Sequence, residues 1–196
     1  MKLMQEFFSK PIDITFYCYL VILLCFLWIF HYPSISSTDE FAYLLSIQSL
    51  ATEGYLDVWN GQDEYGNFSW EYVPDGMLPV EVSDGFVIVG YAPILYNFIA
   101  APFFFIGGRE GVHFLSMVSF VLTTFLIYLL VNFFFHSRHL AFLSAFSFST
   151  MTFALDWAVS TIPHSISTLL VFASFSLTLL DHKCGGGVHR GLWLFL

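Results

Sequence analysis

The sequence predicts an all-α polytopic membrane protein, and three observations carry that expectation. Of the 196 residues, 57% are hydrophobic and only 11% are charged, against about 25% charged in soluble domains. The mean hydropathy is +0.74. Nearly uncharged apolar runs recur at 14–30, 112–135, 140–155 and 165–180, and about 20 such residues cross a hydrocarbon core. This composition and a formal net charge of −9 exclude a disordered chain, a nucleic-acid surface and an ordinary soluble domain. Cys18, Cys25 and Cys184 form no even framework and read as buried thiols rather than as disulfides or zinc ligands.

Residues 1–32 read as a retained signal anchor. Lys2 and Lys10 precede the apolar core, and bulky residues continue to Tyr32, so the core outruns the roughly 7–15 residues of a cleavable signal. Residues 33–110 then form an outer-face loop. Within it, Thr38 to Glu53 predicts a juxtamembrane helix: Ser37 and Glu40 have capping-box spacing, and Gly54 supplies the stop. The turn dipeptides Asn60-Gly61, Asp75-Gly76 and Asp84-Gly85 separate segments 67–73, 77–82 and 86–90, which would make a small three-stranded β-meander. Tyr55, Trp59, Tyr65, Phe68, Trp70 and Tyr72 suit a membrane interface or the face of a sugar ring.

The run 86–107 is long enough to span, but Gly90, Pro93, Asn97, Pro102 and Gly107 interrupt it. Charge placement arbitrates. If this run is re-entrant from the outer face, with breaks at Pro93 and Pro102, then Lys2, Lys10, Arg138, Lys183 and Arg190 are all cytoplasmic and Arg109 alone is outside. Every acid except Glu6, Asp13 and Asp181 then lies outside. Residues 111–196 supply spans over about 111–135, 139–157 and 163–181. A further run, 190–196, stops at Leu196, which leads us to expect the N-terminal piece of a longer protein. The N-terminus is expected in the cytoplasm, and the membrane is expected to be a prokaryotic inner membrane.

No P-loop, Rossmann fingerprint, HExxH or EF-hand is present. His113, His136, His139, His164, His182 and His189 are scattered; His164, beside Pro163 at the outer end of a span, could line a cavity. The pair Asp39-Glu40, close to the outer end of the first span, carries the clearest chemical meaning. Carboxylates are costly at membrane depth, so acids at this boundary are either solvated helix-start residues or site residues. Acids favour a helix N-terminus, and Glu40 is accounted for by the cap with Ser37.

The order of features is recognisable. A first span, TDEFAYLLSIQSLATEG, a polar insert, GYAPILYNFIAAPFFFIGG, a long helix with VLTTFLIYLL, and HSRHLAFLSAFSFS together resemble the polyprenyl-phosphate-sugar-dependent glycosyltransferases of the GT-C fold. The nearest likeness is to the protein O-mannosyltransferase and aminoarabinose-transferase group. Tyr91-Ala92-Pro93-Ile94-Leu95-Tyr96 stands where that group has a His-Pro-Pro-Leu-Tyr-Tyr-like segment, and His113 stands where the group often has an Arg. The resemblance implies a GT-C-like transmembrane bundle with its active site on the outer face. It also implies a polyprenyl-phosphate sugar as donor, an acceptor hydroxyl on a glycan, lipid or protein, and inverting displacement. It places the catalytic base at Asp39 and implies a second outer-loop acid, Asp156, for acceptor or cation binding, which on the expected topology could face Asp39; Glu40 and His164 are supporting candidates, and Arg109, the only outer-face Arg or Lys on that topology, is a candidate for the donor phosphate. No cofactor or metal is implied with certainty. Two other classes remain open at this stage, a non-catalytic flippase or polymerase partner for lipid-linked glycans, and a secondary transporter.

Overall fold

The computed structural model describes residues 14–31, 38–54, 57–58, 80–81, 87–88 and 93–183. The expected strand 67–73, the loop aromatics, Lys2, Lys10, Cys184 and the run 190–196 lie outside the described residues. The described elements are α1 (Ile14–Phe30), α2 (Thr38–Thr52), β1 (Asp57–Val58), β2 (Val80–Glu81), β3 (Val87–Ile88), α3 (Ile94–Phe135), α4 (Arg138–Met151), α5 (Ala154–Ala158) and α6 (His164–Lys183). Helix dominates, and α3 is long and apolar enough to cross a membrane. Helices α1 and α6 are apolar over shorter lengths.

Two compact units divide the chain. One comprises Met1–Phe30, Met117–Ala158 and His164–Leu196; the other comprises His31–Ser116 and Val159–Pro163.

The first unit is built around rings. Phe16 stacks on Tyr128 with centroids 3.8 Å apart and planes 14° from parallel. Leu20, Leu129, Leu130, Phe133, Ala141 and Ala145 complete that core. The Tyr19 hydroxyl hydrogen-bonds Ser149 Oγ, and Phe148 meets Phe120 at 5.5 Å. Helix α1 buries Phe16, Leu20, Leu23 and Leu27 along one stripe while Val21, Ile22 and Ile29 face outward. Such all-round hydrophobicity is unfavourable in water and suited to lipid. Cys18 and Cys25 are free and exposed on it, not buried as the sequence suggests. On α3 the buried hydroxyls of Thr123 and Thr124 donate to the carbonyls of Ser119 and Phe120 at 2.8 and 3.0 Å, which satisfies them without water.

A single helix expected over 139–157 is instead two. Ser137 caps α4, its Oγ accepting from Leu140 N–H at 3.3 Å. Thr152 ends it in extended geometry (φ −123°, ψ 160°), its Oγ1 donating to Phe148 O at 2.7 Å and accepting from Ala154 N–H at 3.2 Å. That hydroxyl stops one helix and opens the next, as Ser and Thr side chains do when they compete with the ladder.

In the second unit, the helix expected over 38–53 runs Thr38–Thr52, followed by Gly54 at φ +79°, which glycine adopts at little cost. Glu40, Tyr43, Leu44, Leu45, Ser46, Ile47 and Ser49 are buried, so α2 packs on several sides. Val80–Glu81 and Val87–Ile88, inside the expected strands 77–82 and 86–90, pair antiparallel, and Asp57–Val58 pairs with the other edge of Val87–Ile88, giving the order β1-β3-β2 with β3 in the centre.

The break expected at Pro102 falls elsewhere. Pro102 sits inside α3, whose only non-helical residue is Gly108 (φ 58°, ψ −144°), a conformation nearly confined to glycine. The turn there is sharp: a Cβ on Gly111 would lie 2.0 Å from the Phe103 carbonyl oxygen, although eight residues of straight helix span about 12 Å. Gly108 thus divides α3 into two arms, 94–107 and 109–135, and the chain turns sharply where Gly111 meets Phe103. The first is about 21 Å long and too short to cross a core of about 30 Å, whereas the second, at about 40 Å, can cross one.

Candidate functional site

Among the described residues, the buried acid and the buried histidine, Glu40 and His113, both lie in the second unit. Glu40, the third residue of α2, is 1% exposed. Its Oε1 accepts from the Thr161 main-chain N–H at 2.9 Å and from Thr161 Oγ1 at 3.0 Å. Tyr96, on the first arm of α3, donates its hydroxyl to the Thr161 carbonyl and meets the Ser116 hydroxyl. Both ends of the Thr161 backbone are thus held, which explains why Val159–Pro163 belongs to this unit. The ring of Tyr43 packs edge-on against Tyr96 with centroids 5.8 Å apart. The capping role expected for Glu40 leaves this clamp unaccounted for, and Ser37 lies outside the described residues.

Immediately after the Gly108 turn come Arg109, Glu110 and His113. The Glu110 carboxylate meets His31 Nε2 at 2.7 Å, and the His31 ring lies 5.4 Å from that of His113. His113 is 0% exposed, and it sits in the field of Arg109, Glu40, Glu110 and His31. Among the described residues, neither of its ring nitrogens has a hydrogen-bond partner. The same is true of Arg109 Nε and Nη2, Asp39 Oδ1 and Asn97 Oδ1. A buried donor or acceptor left unpaired costs about 1–3 kcal/mol, and a charged one more. Four such side chains lie in the second unit, and Ser165, in the first, has an Oγ in the same state. Among the described residues, no group of three or more His, Cys, Asp or Glu is placed to share a metal ion.

The structure thus brings Asp39, Glu40 and Arg109 into one unit. Asp156 and His164 belong to the other, where Asp156 is exposed on α5 and the His164 ring lies 4.9 Å from that of Trp157. Sequence reasoning passes over His31 and Thr161, names Tyr96 only within the segment Tyr91 to Tyr96, and treats His113 only as a departure from a pattern. A polar residue with no capping or turn role inside an apolar run was the available signal for His113; nothing local marks Thr161.

Comparison of the chain with family models, with curated proteins and with solved structures finds no match.

Proposed function

We propose that this chain acts as a multi-pass membrane glycosyltransferase of GT-C type. On this reading it transfers a sugar from a polyprenyl-phosphate donor to an acceptor hydroxyl at the outer face. The observation that carries the reading is Asp39. Its Oδ1 is buried and, among the described residues, without a hydrogen-bond partner in the first turn of α2, next to a Glu40 whose Oε1 accepts twice from Thr161. Of two adjacent acids, one is tied into structure and the other is available to a substrate. The outward Val21, Ile22 and Ile29 on α1, and a first arm of α3 too short to span, support the membrane setting and the re-entrant topology.

The reaction then needs one base. Asp39 accepts the proton of the acceptor hydroxyl as the acceptor oxygen bonds to the anomeric carbon. The carbon–oxygen bond to phosphate breaks with its electron pair on the polyprenyl phosphate, and configuration inverts. General-base assistance of this kind contributes about 10²–10⁴-fold, and a phosphate leaving group needs no acid. The test is to incubate the full-length protein in nanodiscs with a labelled polyprenyl-phosphate sugar pool and candidate acceptors. Acceptor-dependent release of polyprenyl phosphate, with the label moved to an acceptor, is expected. Movement of the lipid-linked sugar across a vesicle bilayer with no bond broken would instead identify a flippase.

A further inference from the structure

Asp39 stands in the first turn of α2, and its Oδ1 is buried with no hydrogen-bond partner among the described residues. No bond at that oxygen aims the carboxylate, so its direction depends on the backbone that carries it. Helix ends fray unless they are tied, and here the tie is the next residue. Glu40 Oε1 accepts from both the main-chain N–H and the hydroxyl of Thr161, at 2.9 and 3.0 Å. Two donors on one residue fix the direction of approach as well as its distance. Thr161 is itself 0% exposed and held from behind. Its carbonyl accepts from the Tyr96 hydroxyl, and Tyr96 meets the Ser116 hydroxyl and packs edge-on against Tyr43.

A tie that served stability alone would not call for a buried acid. Taking a carboxylate out of water carries a desolvation cost that an apolar side chain packed against 159–163 would avoid. What the carboxylate adds is a directed hold on the residue beside Asp39. We infer that Thr161 is a positioning residue for the proton transfer: by anchoring Glu40 it fixes the start of α2 and so aims the Asp39 carboxylate at the acceptor hydroxyl. The inference rests on the glycosyltransferase reading and deepens it by naming what orients the base. Such control matters because a general base works within about 2.6–3.2 Å of the oxygen whose proton it takes, and a misplacement of about 1 Å can cost about 10²-fold in rate.

The test uses full-length protein in nanodiscs, with aspartate labelled with ¹³C at the side-chain carboxyl and the Asp39 resonance identified by its absence from Asp39→Asn. Thr161→Val keeps the side chain's shape and the main-chain N–H but removes the hydroxyl donor, whereas Thr161→Ser keeps both donors. Thr161→Val should move or broaden the Asp39 resonance. It should also slow single-turnover sugar transfer at saturating donor by about tenfold or more, with donor affinity unchanged. Thr161→Ser should restore most of both readouts. In an Asp39→Asn background Thr161→Val should slow transfer little further, because the two changes act through one group. Ser149→Ala removes the hydroxyl bonded to Tyr19 in the first unit; it should lower the unfolding midpoint and leave the Asp39 resonance in place, which separates positioning from loss of stability. An Asp39 resonance unmoved by Thr161→Val, or a Thr161→Val penalty that multiplies in full with that of Asp39→Asn, overturns the inference. Wild-type protein whose Asp39 resonance answers to Thr161 but which transfers no sugar overturns the enzymatic reading instead.

Discussion

Glu40 and Thr161, 121 residues apart in sequence, are joined by two hydrogen bonds to one carboxylate oxygen, from the Thr161 main-chain N–H and from its hydroxyl. Charge-assisted bonds in a buried place are each worth more than the usual 1 kcal/mol, and their loss leaves a buried donor unpaired. Glu40→Ala should therefore destabilise the protein by about 3 kcal/mol. Glu40→Gln retains an acceptor oxygen and should cost about 1 kcal/mol. Thermal unfolding in detergent, with a double-mutant cycle through Thr161→Val, measures both. Equal losses for the two Glu40 variants would mean that charge, not the accepting oxygen, holds the 159–163 turn.

The glycines at the α3 turn should respond very differently to one added methyl group. Gly111→Ala places a carbon 2.0 Å from the Phe103 carbonyl, so the arms must part; a loss of about 3 kcal/mol or more, or no folded protein, is expected. Gly108→Ala meets open space but keeps φ at +58°, costing about 1–3 kcal/mol. Gly107→Ala meets nothing within 4 Å and should be neutral. Recovery of folded protein after membrane expression, followed by thermal unfolding, ranks the three. A tolerated Gly111→Ala contradicts the close approach of the arms.

These two relationships also show where the sequence is legible. Long apolar runs, the Ser137 cap and the Gly54 stop have local causes, and the corresponding helices lie close to where periodicity puts them. The break in α3 was misplaced for a physical reason. Proline removes one backbone bond, but a break at Pro102 would free many more backbone groups in apolar surroundings. The chain turns instead at Gly107-Gly108, where a positive φ costs little. The site was half legible. Asp39 and Arg109 stand out as charges in apolar company, whereas the Glu40–Thr161 clamp joins residues with no shared period or spacing, and His31 draws its meaning only from Glu110 and His113 beside it.

Topology gives a third prediction. In a background without the native cysteines, Ser83→Cys and Gly107→Cys should both label with an impermeant maleimide from outside, and His139→Cys only from the cytoplasm. Gly107 and His139 are both exposed, so accessibility within the protein does not limit the reaction. Labelling of position 107 only from the cytoplasm would mean that the first arm of α3 crosses the membrane.

His31 and Glu110 are expected to matter little for stability. Their contact is 2.7 Å, but the Glu110 side chain is 46% exposed, and ion pairs of that kind contribute about 0–1 kcal/mol. His31→Gln should accordingly shift the unfolding midpoint by no more than a degree or two, as read by the same detergent melts. A large shift would place His31 among the structural supports of the Arg109–His113 turn.

The central claim is that Asp39 takes the acceptor's proton, and a single-turnover sugar-transfer rate tests it most directly. Full-length wild-type and Asp39→Asn proteins would be compared with saturating lipid-linked donor in nanodiscs, after matching their unfolding midpoints and donor affinities. The account predicts that Asp39→Asn folds and binds donor normally yet transfers sugar about 10²–10⁴ times more slowly; transfer within a few-fold of wild type would contradict it.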